Sequence, residues 1–137
     1  MGYGLSLWVV PKYYKQIKET YKMKHIPHIT LQTNLTEPSM SVDLGKHVDV
    51  TFNRGMVKFP KMHDPNPLMG SGFYCNVKGI SEIPDFRQHM TVWYNYDGCH
   101  YEFREPPPHQ PGKVVRADTT SDDPSEWHIT SHHPGPL

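Results

Sequence analysis

Cysteine is nearly absent from this chain. Cys75 and Cys99 are the two that occur among 137 residues, which excludes a disulfide framework and a Cys-x-x-Cys metal knuckle. No apolar run approaches the roughly 20 residues needed to cross a bilayer. The N-terminus also lacks a charged-then-apolar signal pattern. These absences predict a cytoplasmic protein with reduced thiols and no membrane partner. Net charge is lacking as well, since 14 basic residues offset 14 acidic ones. Long nucleic acids are usually held by a basic surface that releases counterions. A neutral chain therefore favours a small ligand held in a local site. Hydrophobic residues are scarce at 36%, but aromatics reach 12%, and aromatics are what disordered chains lack. An ordered body with a polar tail is expected.

What is abundant is proline, glycine and histidine, with 14, 10 and 10 residues. Leu5 to Val10 is a short apolar run stopped by Pro11 and reads as a buried strand. Residues 12–24 carry five lysines and set Tyr13, Ile17 and Tyr21 four apart, which predicts an amphipathic helix of about three turns. Pro27 forbids its continuation. His28 to Leu35 reads as a second strand. Residues 48–52 and 56–59 read as two strands around the turn Asn53-Arg54-Gly55, with Gly55 supplying positive φ. Residues 73–77 resume a strand, and a short helix fits before Gln88. Met90 to Tyr96 and Cys99 to Phe103 flank Asp97-Gly98, a hairpin signal. Pro106 to Pro111 reads as a stiff extended spacer. The rest, to Leu137, has little core-forming content besides Trp127 and Ile129. The pattern predicts an α+β fold with mostly antiparallel pairing, one domain over 1–105, and a proline-rich spacer and polar tail over 106–137 that can fold back.

Two tripeptides carry the chemistry. His28-Ile29-Thr30 and His89-Met90-Thr91 lie 61 residues apart, one in each half of the expected domain. In a strand, residues i and i+2 share a face, so each motif projects an imidazole and a hydroxyl together. If the two strands lie side by side, four groups converge. One imidazole can take a proton from an attacking hydroxyl, and the other can return one to the departing oxygen. The two threonine hydroxyls can hold non-bridging phosphate oxygens. The scheme needs no metal and no cofactor. A third copy, His128-Ile129-Thr130, sits in the acidic tail beyond the spacer and reads as a decoy.

In order and spacing, Pro27-His28-Ile29-Thr30-Leu31 and His89-Met90-Thr91-Val92 resemble the paired motifs of the two-histidine (2H) phosphoesterase superfamily. That group includes LigT-like RNA 2′,3′-cyclic phosphodiesterases and viral enzymes that degrade cyclic-nucleotide immune signals. The opening strand, helix and Pro-His motif look most like its cyclic nucleotide phosphodiesterase branch. The resemblance covers about residues 3–104. It implies a bilobal α+β fold, mostly antiparallel with one or two helices, and a central catalytic cleft. It also implies His28 and His89 as the acid/base pair, Thr30 and Thr91 as phosphate holders, and Trp8 and Tyr94 as cleft contacts.

The expected activity is hydrolysis of a small phosphodiester with a ribose hydroxyl nearby. The candidates are a cyclic dinucleotide signal of antiviral defence such as cGAMP, or a 2′,3′-cyclic phosphate on a mononucleotide or RNA end. Two other classes stay open. One is a silent nucleotide-binding module using the same cleft. The other is a zinc protein assembled from His25 and His28 with His100 or His109, although the carboxylate or thiolate partners of known zinc sites are missing.

Overall fold

The computed structural model describes residues 3–35, 43–59, 70–81, 87–94 and 102–131. Every strand pairing among them is antiparallel. With one α-helix among the described residues, the class is α+β.

The first strand, β1 (Leu5–Pro11), is buried on both faces from Ser6 onward, as its unbroken apolar run requires. Leu7 and Val9 enter the larger core, while Trp8 and Val10 enter a second cluster on the opposite face. The helix α1 (Tyr14–Thr20) has seven residues, shorter than the expected three turns. Its buried face runs through Tyr14 and Ile17 to Tyr21 just beyond its end, and Tyr13 is exposed. Ile17 and Tyr21 are buried as expected, whereas Tyr14 takes the place expected for Tyr13, because Tyr13 is the N-cap position, its N–H taken by the Gln110 side chain. Lys22 then turns through the left-handed region with φ 54°, and Pro27 leads into β2 (Ile29–Leu35).

β3 (His47–Phe52) and β4 (Val57–Lys58) do not form a hairpin. Both run antiparallel to β5 (Gly70–Lys78), β3 against Cys75–Lys78 and β4 against Ser71–Gly72. The chain between them bulges rather than reverses. Positive φ falls on Arg54, not Gly55. Gly55 instead admits the Phe103 ring, which occupies the place of a Cβ there.

β6 (His89–Tyr94) takes the remaining pairing of β5. The Asp97-Gly98 turn and the expected short helix before Gln88 lie largely outside the described residues. Glu102 to His109 forms no strand.

The largest correction concerns the C-terminal third. Gln110–Asp118 is β7, and it lies between β1 and β3 in the order β2-β1-β7-β3-β5. Val114, Val115 and Ala117 are fully buried, one valine in each core. A boundary at residue 105 would cut the sheet through its middle. Beyond β7 a short 3-10 turn (Pro124–Glu126) leads to β8 (His128–Ser131), which pairs with β7. At the other ends of this path β2 approaches β6, although the two are not paired. That approach brings the two His-x-Thr segments together. No helix of the described residues is long and apolar enough to cross a membrane.

Candidate active site

β2 presents Ile29 and Leu31 to the larger core, which turns His28 and Thr30 to the other face, where Trp8 lies opposite Thr30. The His28 ring stacks on the Trp8 indole with centroids 3.7 Å apart and planes 13° apart. Its Nδ1 lies 2.7 Å from the Ile26 carbonyl. A carbonyl only accepts, so Nδ1 carries the proton and Nε2 keeps its lone pair in the neutral ring. Trp8 is 1% exposed, so it backs His28 from within rather than offering a face to a ligand. Tyr94 is also buried, at 8%.

The second motif repeats the arrangement. Met90 and Val92 enter the larger core, and the His89 Nδ1 donates to the Arg87 carbonyl at 2.7 Å. Phe59 meets the His89 ring edge-on at 4.7 Å, and the Arg87 guanidinium lies 3.8 Å over the Tyr74 ring. Gly72 makes this packing possible, since a Cβ there would collide with the Met90 carbonyl. In both motifs Nε2 is therefore the free nitrogen, unengaged by any described residue. Thr91 is buried and Thr30 half-buried.

A register shift in the β5–β6 ladder at Ser71/Gly72 sets Thr91 and Trp93 against successive residues of β5. The extra residue is a β-bulge, and a bulge re-aims the side chains after it. Trp93 therefore packs on the larger core and Tyr94 joins Trp8 in the second cluster. His25 fills the space between the motifs. Its Nε2 donates to the Thr91 carbonyl at 2.8 Å, and its ring lies 4.9 Å from Tyr94 and 5.8 Å from His28.

Burial dominates the electrostatics. It holds the His28 imidazole down at about 3, against an ordinary 6.5, with a charge on His25 adding to the effect and the Ile26 carbonyl opposing it. A charge on His89 also disfavours protonation of His28, which places the two rings within electrostatic reach. His89 is likewise pushed down by burial; the Arg87 carbonyl opposes this and the Arg87 guanidinium adds to it.

Trp127 docks the C-terminal segment on this cluster. It lies 6.3 Å from Trp8, 6.1 Å from Tyr94 and 5.9 Å from His28, and its Nε1 donates to the Ser121 carbonyl. It is 5% exposed, so the segment is anchored. Trp127→Ala should cost about 3–5 kcal/mol of stability, read as a lower urea midpoint with an unchanged slope. A midpoint equal to wild type would show that the anchor is dispensable.

His128 also leans on the carbonyl two residues before it, at 3.2 Å, but it is exposed on β8. The third tripeptide shares the local geometry and lacks the enclosure. Among the described residues no group of three or more His, Cys, Asp or Glu side chains is placed to hold a metal ion. His109 lies 3.9 Å from Asp49 instead, and His100 is outside the described residues.

Sequence reasoning missed Arg87 and the bridging role of His25. A basic residue two before a motif histidine is the one signal that pointed to Arg87, and the aromatic setting of His25 was invisible. Comparison with protein families, curated proteins and solved structures found no match.

Proposed function

We propose that the chain is a metal-independent phosphodiesterase of the two-histidine type, acting on a small cyclic phosphodiester in a cleft between two lobes that meet at β2 and β6. The observation that carries the reading is the matched orientation of His28 and His89. Each donates Nδ1–H to the carbonyl two residues back and leaves Nε2 free. A binding module has no need for two such proton carriers.

His28, held neutral by burial, is the base. Its Nε2 takes the proton of the attacking water or ribose hydroxyl as that oxygen bonds to phosphorus. His89 is the acid. Its Nε2–H passes to the departing ester oxygen as the P–O bond breaks. Solvent then resets both rings. Thr30 and Thr91 have hydroxyls without partners among the described residues and serve as donors to the non-bridging oxygens. The Arg87 guanidinium adds positive charge near His89 and suits an anionic substrate. The substrate class is a cyclic dinucleotide such as cGAMP or a 2′,3′-cyclic phosphate.

The roles fix the pH dependence. kcat/KM reports the free enzyme. A base titrating at about 3 is already neutral throughout the working range. The acid must be protonated, and His89 titrates below 6.5. The kcat/KM profile should therefore fall as pH rises from 6 to 8, approaching tenfold per unit. Bound phosphate anion favours imidazolium, so the kcat profile should fall at higher pH than kcat/KM. A kcat/KM that climbs steadily from pH 6 to 8 would overturn the assignment of His89 as the acid.

A further inference from the structure

The strand ladder alone does not fix how the two motifs face each other. β2 and β6 lie far apart along the pairing order β2-β1-β7-β3-β5, with β6 beyond β5. A small change in twist at each pairing would accumulate before it reached β6, and the reacting groups need tighter placement than that. Misplacement by about 1 Å can cost on the order of a hundredfold in rate.

Cross-links between the segment before β2 and β6 supply what the ladder does not. The Trp93 Nε1 donates to the Tyr21 carbonyl at 3.0 Å, at the far side of the bulge. Nearer the chemistry, His25 donates to the main chain of Thr91 itself, within the second motif. The same ring stands edge-on to His28 of the first motif and against Tyr94. It is 3% exposed, so water does not compete for that bond. The accepting carbonyl lies next to the bulge, where the β5–β6 register slips.

We propose that His25 is a positioning residue: its Nε2–H bond to the Thr91 carbonyl, with its packing on His28, locks the two His-x-Thr motifs in register across the unpaired β2–β6 junction. The role rests on the phosphodiesterase reading, and it assigns His25 no part in moving the reaction's protons. The required property is an N–H donor at one point, which a glutamine amide can supply and an apolar side chain cannot.

The test is steady-state turnover of 2′,3′-cyclic AMP and cGAMP by wild type, His25→Leu, His25→Phe and His25→Gln, with urea midpoints measured alongside. His25→Leu and His25→Phe, two donor-less shapes, guard against one of them failing to fold. A folded donor-less variant should lose about a hundredfold in kcat with KM changed less than about threefold, because a loosened site binds substrate but misaligns it. His25→Gln should recover most of that loss, whatever its midpoint. If either folded donor-less variant keeps wild-type kcat, or if His25→Gln is folded and as slow as they are, the positioning role is overturned while the phosphodiesterase reading stands. If wild type turns over neither substrate class, the reading fails and the positioning role falls with it.

Discussion

His28→Ala and His89→Ala should each lower kcat by about a thousandfold or more, with KM changed little. A general base and a general acid act on one transition state, and each contributes roughly two to four orders of magnitude. Because they act as a unit, the double variant should be barely slower than either single one. His28 supports the Trp8 ring, so its replacement also exposes an indole face. His28→Asn fills more of that space and separates lost chemistry from lost packing, and it should be as slow as His28→Ala. His128→Ala should retain activity within about twofold, since the exposed β8 residue shares only the local geometry. Retention of more than a tenth of wild-type kcat by either His28→Ala or His89→Ala would remove that histidine from the mechanism.

Ending the chain at residue 105 should abolish folding altogether. The truncation removes β7, which pairs with β1 through seven residues and with β3 through four. Both partners would be left with an open edge and unpaired backbone groups. Val114, Val115 and Ala117, none of them exposed, would vanish from two cores at once. Burial of one such valine is worth roughly 1.5–3 kcal/mol, and a domain of this size is stable by only about 5–15 kcal/mol. Val114→Asp is the single-residue form of the same test, because it puts a carboxylate into the larger core. Circular dichroism should show loss of the sheet signal for the truncation and a collapsed thermal transition for Val114→Asp. A folded, cooperative 1–105 fragment would contradict the placement of β7 at the centre of the sheet.

The segment from Leu5 to Leu35 was legible because its signals are local. Leu5 to Val10 has no polar interruption beyond Ser6, and prolines at 11 and 27 bracket the helical segment. The pairing of His28 with Thr30, and of His89 with Thr91, followed from strand alternation alone. β7 was illegible because its strand is disguised. Pro108 and Pro111 flank its start, and Pro111 cannot donate to a ladder. It is tolerated because its carbonyl accepts from Lys12, so its missing N–H faces the same side, where β1 has already ended at Pro11. Gly112 reads as a breaker, yet it is there because a Cβ would crowd Val9 and Val50. Lys113 and Arg116 interrupt the apolar run while being only half-buried.

Asn53-Arg54-Gly55 misled in the opposite way. Its composition is that of a reversal, but β3 and β4 share β5 as their partner, and a common partner is a long-range fact. The site followed the same division. The proton carriers were visible as a motif, whereas Trp8 as a buried support for His28, the Tyr94 bulge and the His25 bridge depend on strands distant in sequence.

The most direct test of the central claim is a product-resolved turnover assay in EDTA. Purified protein is incubated with 2′,3′-cyclic AMP and, separately, with cGAMP, and the phosphate products are separated and identified. The reading predicts multiple turnovers of at least one of the two, at a rate that EDTA does not change, with a ring-opened phosphomonoester or linearised dinucleotide as product. No cleavage of either substrate, or cleavage that EDTA stops and zinc restores, would contradict it.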